Sequence, residues 1–233
     1  MRVAIMQPTY LPWLGYFGLM HSVDMFILLD SVQFARRSWQ QRNQIKTSNG
    51  PIWLSVPVLS KGKRDQLISE VEVDYSQGFP SSHQKSLTAN YGKSPYFKLL
   101  SQPIFEILDS KDKFLVDLTI NLIRWMANEL GITTPIRLAS EFSTVGAKAD
   151  LLVSICQEVG GTEYVSPPGS KCYLDESDAF ERQNMPVHYF HFNNLDYSQR
   201  FDQFLPNMSI VDLLFNCGPE SLQLIEKGCE IKP

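Results

Sequence analysis

A membrane-spanning helix needs roughly 18 or more consecutive apolar residues, and the chain has no such run. Its longest, such as Met25 to Leu29, have the length of buried strands. The opening Met1-Arg2-Val3-Ala4-Ile5-Met6 is cut off by Gln7-Pro8 before it could form the apolar core of a secretory signal. These absences predict a cytoplasmic protein with no membrane span. Cysteine is scarce. Cys156, Cys172, Cys217 and Cys229 form no C-x-x-C pair and sit in apolar or helical surroundings, so free thiols are expected rather than disulfides or a zinc site. There are only four histidines, and His188 and His191, three apart in an expected strand, point to opposite faces and cannot share a metal. No metal site is expected. The serine-hydrolase elbow, the phosphate-binding P-loop and the zinc-protease helix signature are all missing. Neither charge dominates: 21 Lys+Arg face 25 Asp+Glu, a net of −4, which argues against a nucleic-acid partner.

What is present is a core. Hydrophobic residues make up 43% of the chain and aromatics 12%, enough for one large domain over residues 1–233 and incompatible with global disorder. Val3 to Met6 and Met25 to Leu29, joined by an aromatic stretch from Trp13 to Val23, predict a βαβ opening. Gln44 to Thr47 and Ile52 to Val56 flank Ser48-Asn49-Gly50-Pro51, a hairpin signal. Leu115, Leu118, Leu122, Trp125 and Met126 form one stripe of a helix over Lys113 to Leu130, which Gly131 stops. A second helix is expected over Ala147 to Val159, then a strand at Glu163 to Ser166. After the break at Pro167-Pro168-Gly169, the pattern predicts a short helix at Glu176 to Asn184 and a strand at Val187 to Phe192. Helices follow at Ser209 to Cys217 and Glu220 to Lys227. Such alternation predicts an α/β fold, a mostly parallel sheet with helices on both faces. Residues 75–135 form a helical middle region, a candidate lobe.

Charge is unevenly placed. Between Ser31 and Arg64 lie Arg36, Arg37, Arg42, Lys46, Lys61, Lys63 and Arg64 and no acidic residue, where about four are expected by chance. Charge runs usually face water, and a solvated loop explains this one too. The functional reading is an anion site, because Arg36, Arg37 and Arg42 are interleaved with Gln33, Trp39, Gln40, Gln41 and Asn43. Guanidinium forks pair bidentately with phosphate oxygens and an indole stacks on a base or sugar face, so a nucleotide or sugar diphosphate suits the set.

The turn after the first strand, Gln7-Pro8-Thr9-Tyr10-Leu11-Pro12-Trp13-Leu14-Gly15-Tyr16-Phe17, would face the same crevice, because ligands of open α/β sheets bind at the carboxyl ends of strands. Gln7, Tyr10, Gly15 and Tyr16 are therefore candidates, with Gly15 allowing close backbone approach and the helix start near Pro12 offering N–H groups to an anion. Trp13 and Phe17 serve equally well as core. Asp30 ends the second strand at this edge and could orient an amine. His83, in Ser81-Ser82-His83-Gln84-Lys85, is the preferred base, set against the plainer reading of an exposed helix-start histidine. His21 suits a helix C-terminus.

Five ordered blocks carry a resemblance. Gln7-Pro-x-x-x-Pro12-Trp13-x-Gly15-Tyr16-Phe17, Asp30-x-Val32-Gln33-Phe34, Trp39-x-x-Arg42-Asn43, Tyr91-x-Lys93-x-Pro95-Tyr96-Phe97 and the stretch Leu205 to Gly218 resemble the WbqC-like protein family across nearly the whole chain. The resemblance implies bacterial surface-polysaccharide (lipopolysaccharide O-antigen) biosynthesis. It also implies acyl or aminoacyl transfer to a nucleotide-linked amino sugar, the acyl donor being unidentified. It adds Ser209, Asp212 and Asn216 of the last block as residues that close the crevice, although Ser209 is also a plain helix cap. A non-catalytic nucleotide-sugar binding or scaffold protein is the alternative. The layout also resembles nucleotidyltransferase-like folds that activate a carboxylate with ATP. Their paired histidines are missing here, since Trp13-x-Gly15-Tyr16 stands in that place. A homo-oligomer is left open.

Overall fold

The computed structural model describes residues 1–232 and their side chains, apart from those of Pro168, Cys172 and Tyr173. The reading of Cys172 lies outside the described side chains. Eight strands are described: β1 (Arg2–Met6), β2 (Met25–Leu28), β3 (Arg42–Thr47), β4 (Gly50–Ser55), β5 (Ile136–Leu138), β6 (Glu163–Ser166), β7 (Val187–Phe192) and β8 (Cys229–Lys232). Nine helices accompany them: α1 (Leu14–His21), α2 (Ser81–Tyr91), α3 (Phe97–Asp109), α4 (Leu115–Glu129), α5 (Ala149–Glu158), α6 (Lys171–Asp175), α7 (Ala179–Arg182), α8 (Ile210–Cys217) and α9 (Ser221–Gly228).

Six strands form one sheet in the order β5-β2-β1-β6-β7-β8. The first five are parallel and β8 alone runs antiparallel to β7. The expected α/β architecture is thus the observed one. Its central strand is apolar on both faces because each face is covered. Ala4 faces a core shared with Phe17, Phe26, Val165 and Phe215, while Val3 and Ile5 face a second core with Ile155, Tyr164 and Phe180. The helical middle region, α2 to α4, contributes Leu87, Tyr91, Ile104, Leu118 and Ile123 to the first of these cores.

Local differences have simple causes. In the hairpin, Thr47 pairs with Gly50, so the turn is Ser48-Asn49 and Pro51 lies inside β4. Proline is tolerated there because its partner Lys46 turns its own N–H outward to the Tyr91 hydroxyl, so the pair needs no ladder hydrogen bond from position 51. Gly50 takes φ +97°, which a side chain would strain. The short helix expected at Glu176 to Asn184 shrinks to α7, and α6 precedes it. His21 ends α1, where its Nε2 meets Glu226 at 3.0 Å.

Candidate functional site

The strand order reverses at β1: β2 and β5 lie on one side and β6 and β7 on the other. Loops leaving adjacent strands in opposite directions open a crevice at such a point. Three adjoining cavities occupy it. The first, about 490 Å³, is walled by Trp13, Tyr16 and Trp39 and edged by Thr9, Asn43, Gln44 and Asn207. The second, about 340 Å³, lies between the ends of β1 and β6 with Gln7, Ser38, Gln40 and Pro167 on its walls. The third, about 220 Å³, reaches the end of β7 at His191 and Phe192. Met6, the last residue of β1, borders all three. Aromatic faces and amides prevail, and no Asp or Glu appears among the described lining residues.

Trp13 is held by its neighbours. A Cβ on Gly15 would fall 2.2 Å from the Trp13 ring, so glycine is required for the indole to lie across the first turn of α1. The ring meets Phe192 edge-on at 5.5 Å. The group that approaches Gly15 in the structure is the Trp13 ring, and the two residues share a wall of the third cavity. Tyr16 is almost fully buried and its hydroxyl donates to the Gln7 carbonyl at 3.2 Å. Burial keeps its phenol protonated, well above the ordinary value.

The loop carrying Trp39 is tied to the first turn. Tyr10 N–H donates to the Trp39 carbonyl at 3.0 Å. The Gln40 amide, 2% exposed, donates to Gln7 Oε1 at 2.8 Å and accepts from Ala35 N–H at 2.9 Å. Trp39 itself is 51% exposed at the mouth, and its ring lies 5.2 Å from that of Trp53. Asn43, buried, donates to the Leu11 carbonyl at 2.6 Å and so fixes a residue with φ +45°. Of the expected binding residues, Gln7, Gly15, Tyr16, Trp39 and Asn43 therefore line the crevice.

The other expected residues lie elsewhere. Arg36 and Arg37 are exposed in the loop just before Trp39 but line none of the three cavities. Arg42 places its guanidinium 4.2 Å above the Trp53 ring, with Nε unpartnered. Gln33 points away, donating to the Arg64 carbonyl at 3.0 Å. Asp30 accepts from Ser140 N–H at 2.9 Å and from its hydroxyl at 2.6 Å, which anchors the turn after β5. Ser209 caps α8, its hydroxyl accepting from Val211 N–H, while its own N–H donates to the Gln44 carbonyl at 2.9 Å. Asn216 joins Ser94 Oγ to the Asp212 carbonyl. Of these, Ser209 braces the crevice wall from behind, through Gln44.

Asp212 is fully buried and accepts from the hydroxyls of Tyr91 at 2.8 Å and Tyr197 at 2.7 Å and from Gln199 at 2.8 Å. Desolvation raises its carboxyl pKa, against the pull of those donors and Lys46. The Lys46 ammonium donates to Gln199 Oε1 at 3.0 Å and to the carbonyls of Phe201 and Gln203, and burial lowers its pKa. The network is structural and accounts for one cation of the basic run.

His83 is not available as a base. Only 5% exposed, it meets the Tyr10 hydroxyl at Nδ1, 2.8 Å away, and the Ser55 carbonyl at Nε2, 3.2 Å away. A carbonyl can only accept, so Nε2 carries the proton and the Nδ1 lone pair takes the Tyr10 hydrogen. Desolvation pushes its pKa down to about 4. The described cysteines are no better as nucleophiles. Burial pushes the Cys156 thiol up to about 12 and those of Cys217 and Cys229 to about 11. No group of three or more His, Cys, Asp or Glu among the described residues is placed to hold a metal. No described helix is long and apolar enough to cross a membrane.

Thr9, Gln44 and Asn207 were not anticipated in the site. Thr9 lies in the turn singled out from the sequence, between two chosen positions, and only the bend of that turn reveals it. Asn207, at φ +60°, reaches the cavity from a loop remote in sequence.

Comparison with known proteins places the chain. It is 36% identical over 224 residues to an uncharacterized protein of Mycobacterium tuberculosis, covering 94% of this chain and 95% of that one. No solved structure matches it significantly. The WbqC-like protein family model matches residues 7–224, from the crevice turn to α9. With the aromatic turn, the Trp39 loop and the α8 block falling within that span, the chain belongs to the WbqC-like protein family.

Proposed function

We propose that the protein is a transferase that binds a nucleotide-linked amino sugar in the crevice at the end of β1 and joins an acyl or aminoacyl group to the sugar nitrogen. The observation that carries this reading is the lining: indole and phenol faces, amides and hydroxyls, with no carboxylate among the described residues. Aromatic faces and neutral donors suit a sugar or base, and their number suits a drug-sized ligand. A site without carboxylates also withholds the counter-ion that would keep an amine protonated, so the nitrogen lone pair stays free to attack. In the reaction, a C–N bond forms at the acyl carbonyl and the bond to the donor's leaving group breaks. The leaving group keeps the bonding electrons and the nitrogen proton passes to water at the open mouth. Arg36 and Arg37, beside Trp39 at the rim, would meet the diphosphate. A cytoplasmic place in surface-polysaccharide synthesis follows from this substrate.

One observation favours a second reading. With His83 closed off by Tyr10 and Ser55, a binding or scaffold protein without turnover fits the same crevice. Carboxylate activation by ATP ranks third, because the Tyr16 phenol offers no cation to a departing pyrophosphate.

The test is thermal-shift screening against UDP-, GDP- and dTDP-linked amino sugars and ATP, followed by mass spectrometry of the bound sugar after mixing with thioester acyl donors. Selective stabilisation by one amino-sugar nucleotide with an acyl mass gain is expected. Stabilisation without mass gain selects the binding protein, pyrophosphate release selects the ligase, and no stabilisation by any ligand ends all three.

A further inference from the structure

The crevice does not account for the surface around its mouth. Residues 31–64 hold seven of the chain's 21 basic residues and none of its 25 acidic ones, which leaves 14 basic against 25 acidic elsewhere. The small net charge of −4 therefore conceals a strongly dipolar molecule. Lys46 is turned inward to the Asp212 network. The other six, Arg36, Arg37, Arg42, Lys61, Lys63 and Arg64, are exposed or partly exposed and make no ion pair with a described carboxylate. The Gln33 amide holds the Arg64 carbonyl at 3.0 Å, so the Lys61 to Arg64 loop lies beside the segment that leads into Arg36. Asp65 closes the run.

Apolar surface accompanies the charge. Of eight exposed large hydrophobic residues among those described, Trp39, Ile52, Trp53 and Leu59 come from this region and Leu67 lies three residues beyond it. Trp39 and Trp53 form a pair 5.2 Å apart, 51% and 42% exposed, and Arg42 lies against Trp53. Indoles set among unneutralised guanidinium and ammonium groups match the interfacial layer of a bilayer, where rings enter the headgroup region and cations meet lipid phosphates.

We infer that the face formed by the β3–β4 hairpin and the Arg36 and Lys61 loops docks on an anionic lipid bilayer as a peripheral membrane contact. A single-stranded nucleic acid would use similar groups, but the acidic remainder of the chain would repel a long polyanion, whereas a bilayer meets only the docking face. The inference is independent of the proposed reaction. Trp39 belongs both to this face and to the crevice mouth, so docking sets the crevice at headgroup level.

The experiment is co-sedimentation of the full chain with vesicles of phosphatidylglycerol and phosphatidylcholine, without nucleotide. Binding is expected to rise with the phosphatidylglycerol fraction and to fall as salt increases from 50 to 500 mM, about a factor of ten in ionic strength. Lys61→Ala with Lys63→Ala should weaken binding about 25-fold, near fivefold per cation. Trp53→Ala should weaken it further, and Trp39→Ala, at the half-exposed partner of the indole pair, provides a second apolar variant should Trp53→Ala unfold. Tryptophan emission should shift to the blue on binding. Absence of sedimentation with anionic vesicles at low salt would overturn the inference. Equal binding to neutral vesicles, or tighter binding to a single-stranded oligonucleotide than to vesicles, would overturn it as well.

Discussion

The Tyr10 hydroxyl donates to His83 Nδ1 across 2.8 Å, joining the turn after β1 to the first turns of α2. The bond turns a candidate catalyst into a tie between two parts of the fold, because it occupies the lone pair that a base would use. Charging this imidazole would set a second proton against the Tyr10 oxygen in a site closed to water. With an ordinary value of 6.5 in the unfolded chain and about 4 in the folded one, the unfolded state holds more protons between these values. Stability should therefore rise with pH from about 4 to 6.5, by on the order of 3 kcal/mol, and level off above. Chemical denaturation at a series of pH values checks this: His83→Gln should flatten the slope and leave ligand binding intact. Tyr10→Phe should cost about 1–3 kcal/mol.

Gly15 and Trp13 should behave as one unit. Gly15→Ala places a methyl where the indole lies and is expected to cost about 1–3 kcal/mol, the usual range for overpacking. In a Trp13→Ala background the same substitution should be nearly neutral. A double-mutant cycle by urea denaturation, with coupling above about 1 kcal/mol, is the expected result; additive effects would show that the ring does not rest on the glycine.

Trp39 has the opposite profile. Half exposed, it supports little of the core, so Trp39→Ala should leave the melting temperature almost unchanged. Ligand affinity should fall by about 1–3 kcal/mol if a base or sugar stacks on the ring. Calorimetric titration with the ligand found by thermal shift makes the comparison, with Arg36→Ala and Arg37→Ala tested beside it.

The Asp212 network should be costly to break from one side. Lys46→Met leaves a buried carboxylate with its tyrosine donors but no cation, and the loss is expected at about 3–5 kcal/mol. Asp212→Asn in the same background should recover part of it, since it removes the charge that was left alone. Unequal unfolding free energies in that order are the readout.

Much of the architecture was legible because burial on both faces writes itself as unbroken apolar runs, as at Val3 to Met6 and Met25 to Leu28. β5 escaped notice because three residues, Ile136-Arg137-Leu138, show no period. β8 escaped because an edge strand alternates Cys229-Glu230-Ile231-Lys232 and resembles a helix tail. The crevice was legible where local sequence shapes it, at Trp13, Gly15 and Tyr16. It was illegible where distant residues meet, as when Gln40 reaches Gln7 or Asn207 reaches the first cavity. For His83 a local signal did exist. His83, Leu87 and Tyr91 are spaced by four and share one buried helix face, a stripe that the polar neighbours Ser82, Gln84 and Lys85 obscured.

The directions of the first and last strands in the chain matter for anyone handling the molecule. β1 carries the chain from Arg2 toward the crevice over five residues, about 17 Å at strand rise. β8 starts opposite Phe192 and returns toward Tyr189, away from it. Residue 1 therefore emerges on the far rim of the sheet, whereas residue 232, opposite Tyr189, stops level with the middle of β7. A purification handle, a fluorophore or a surface linker attached at residue 1 would stand a full strand length away from the cavity mouth.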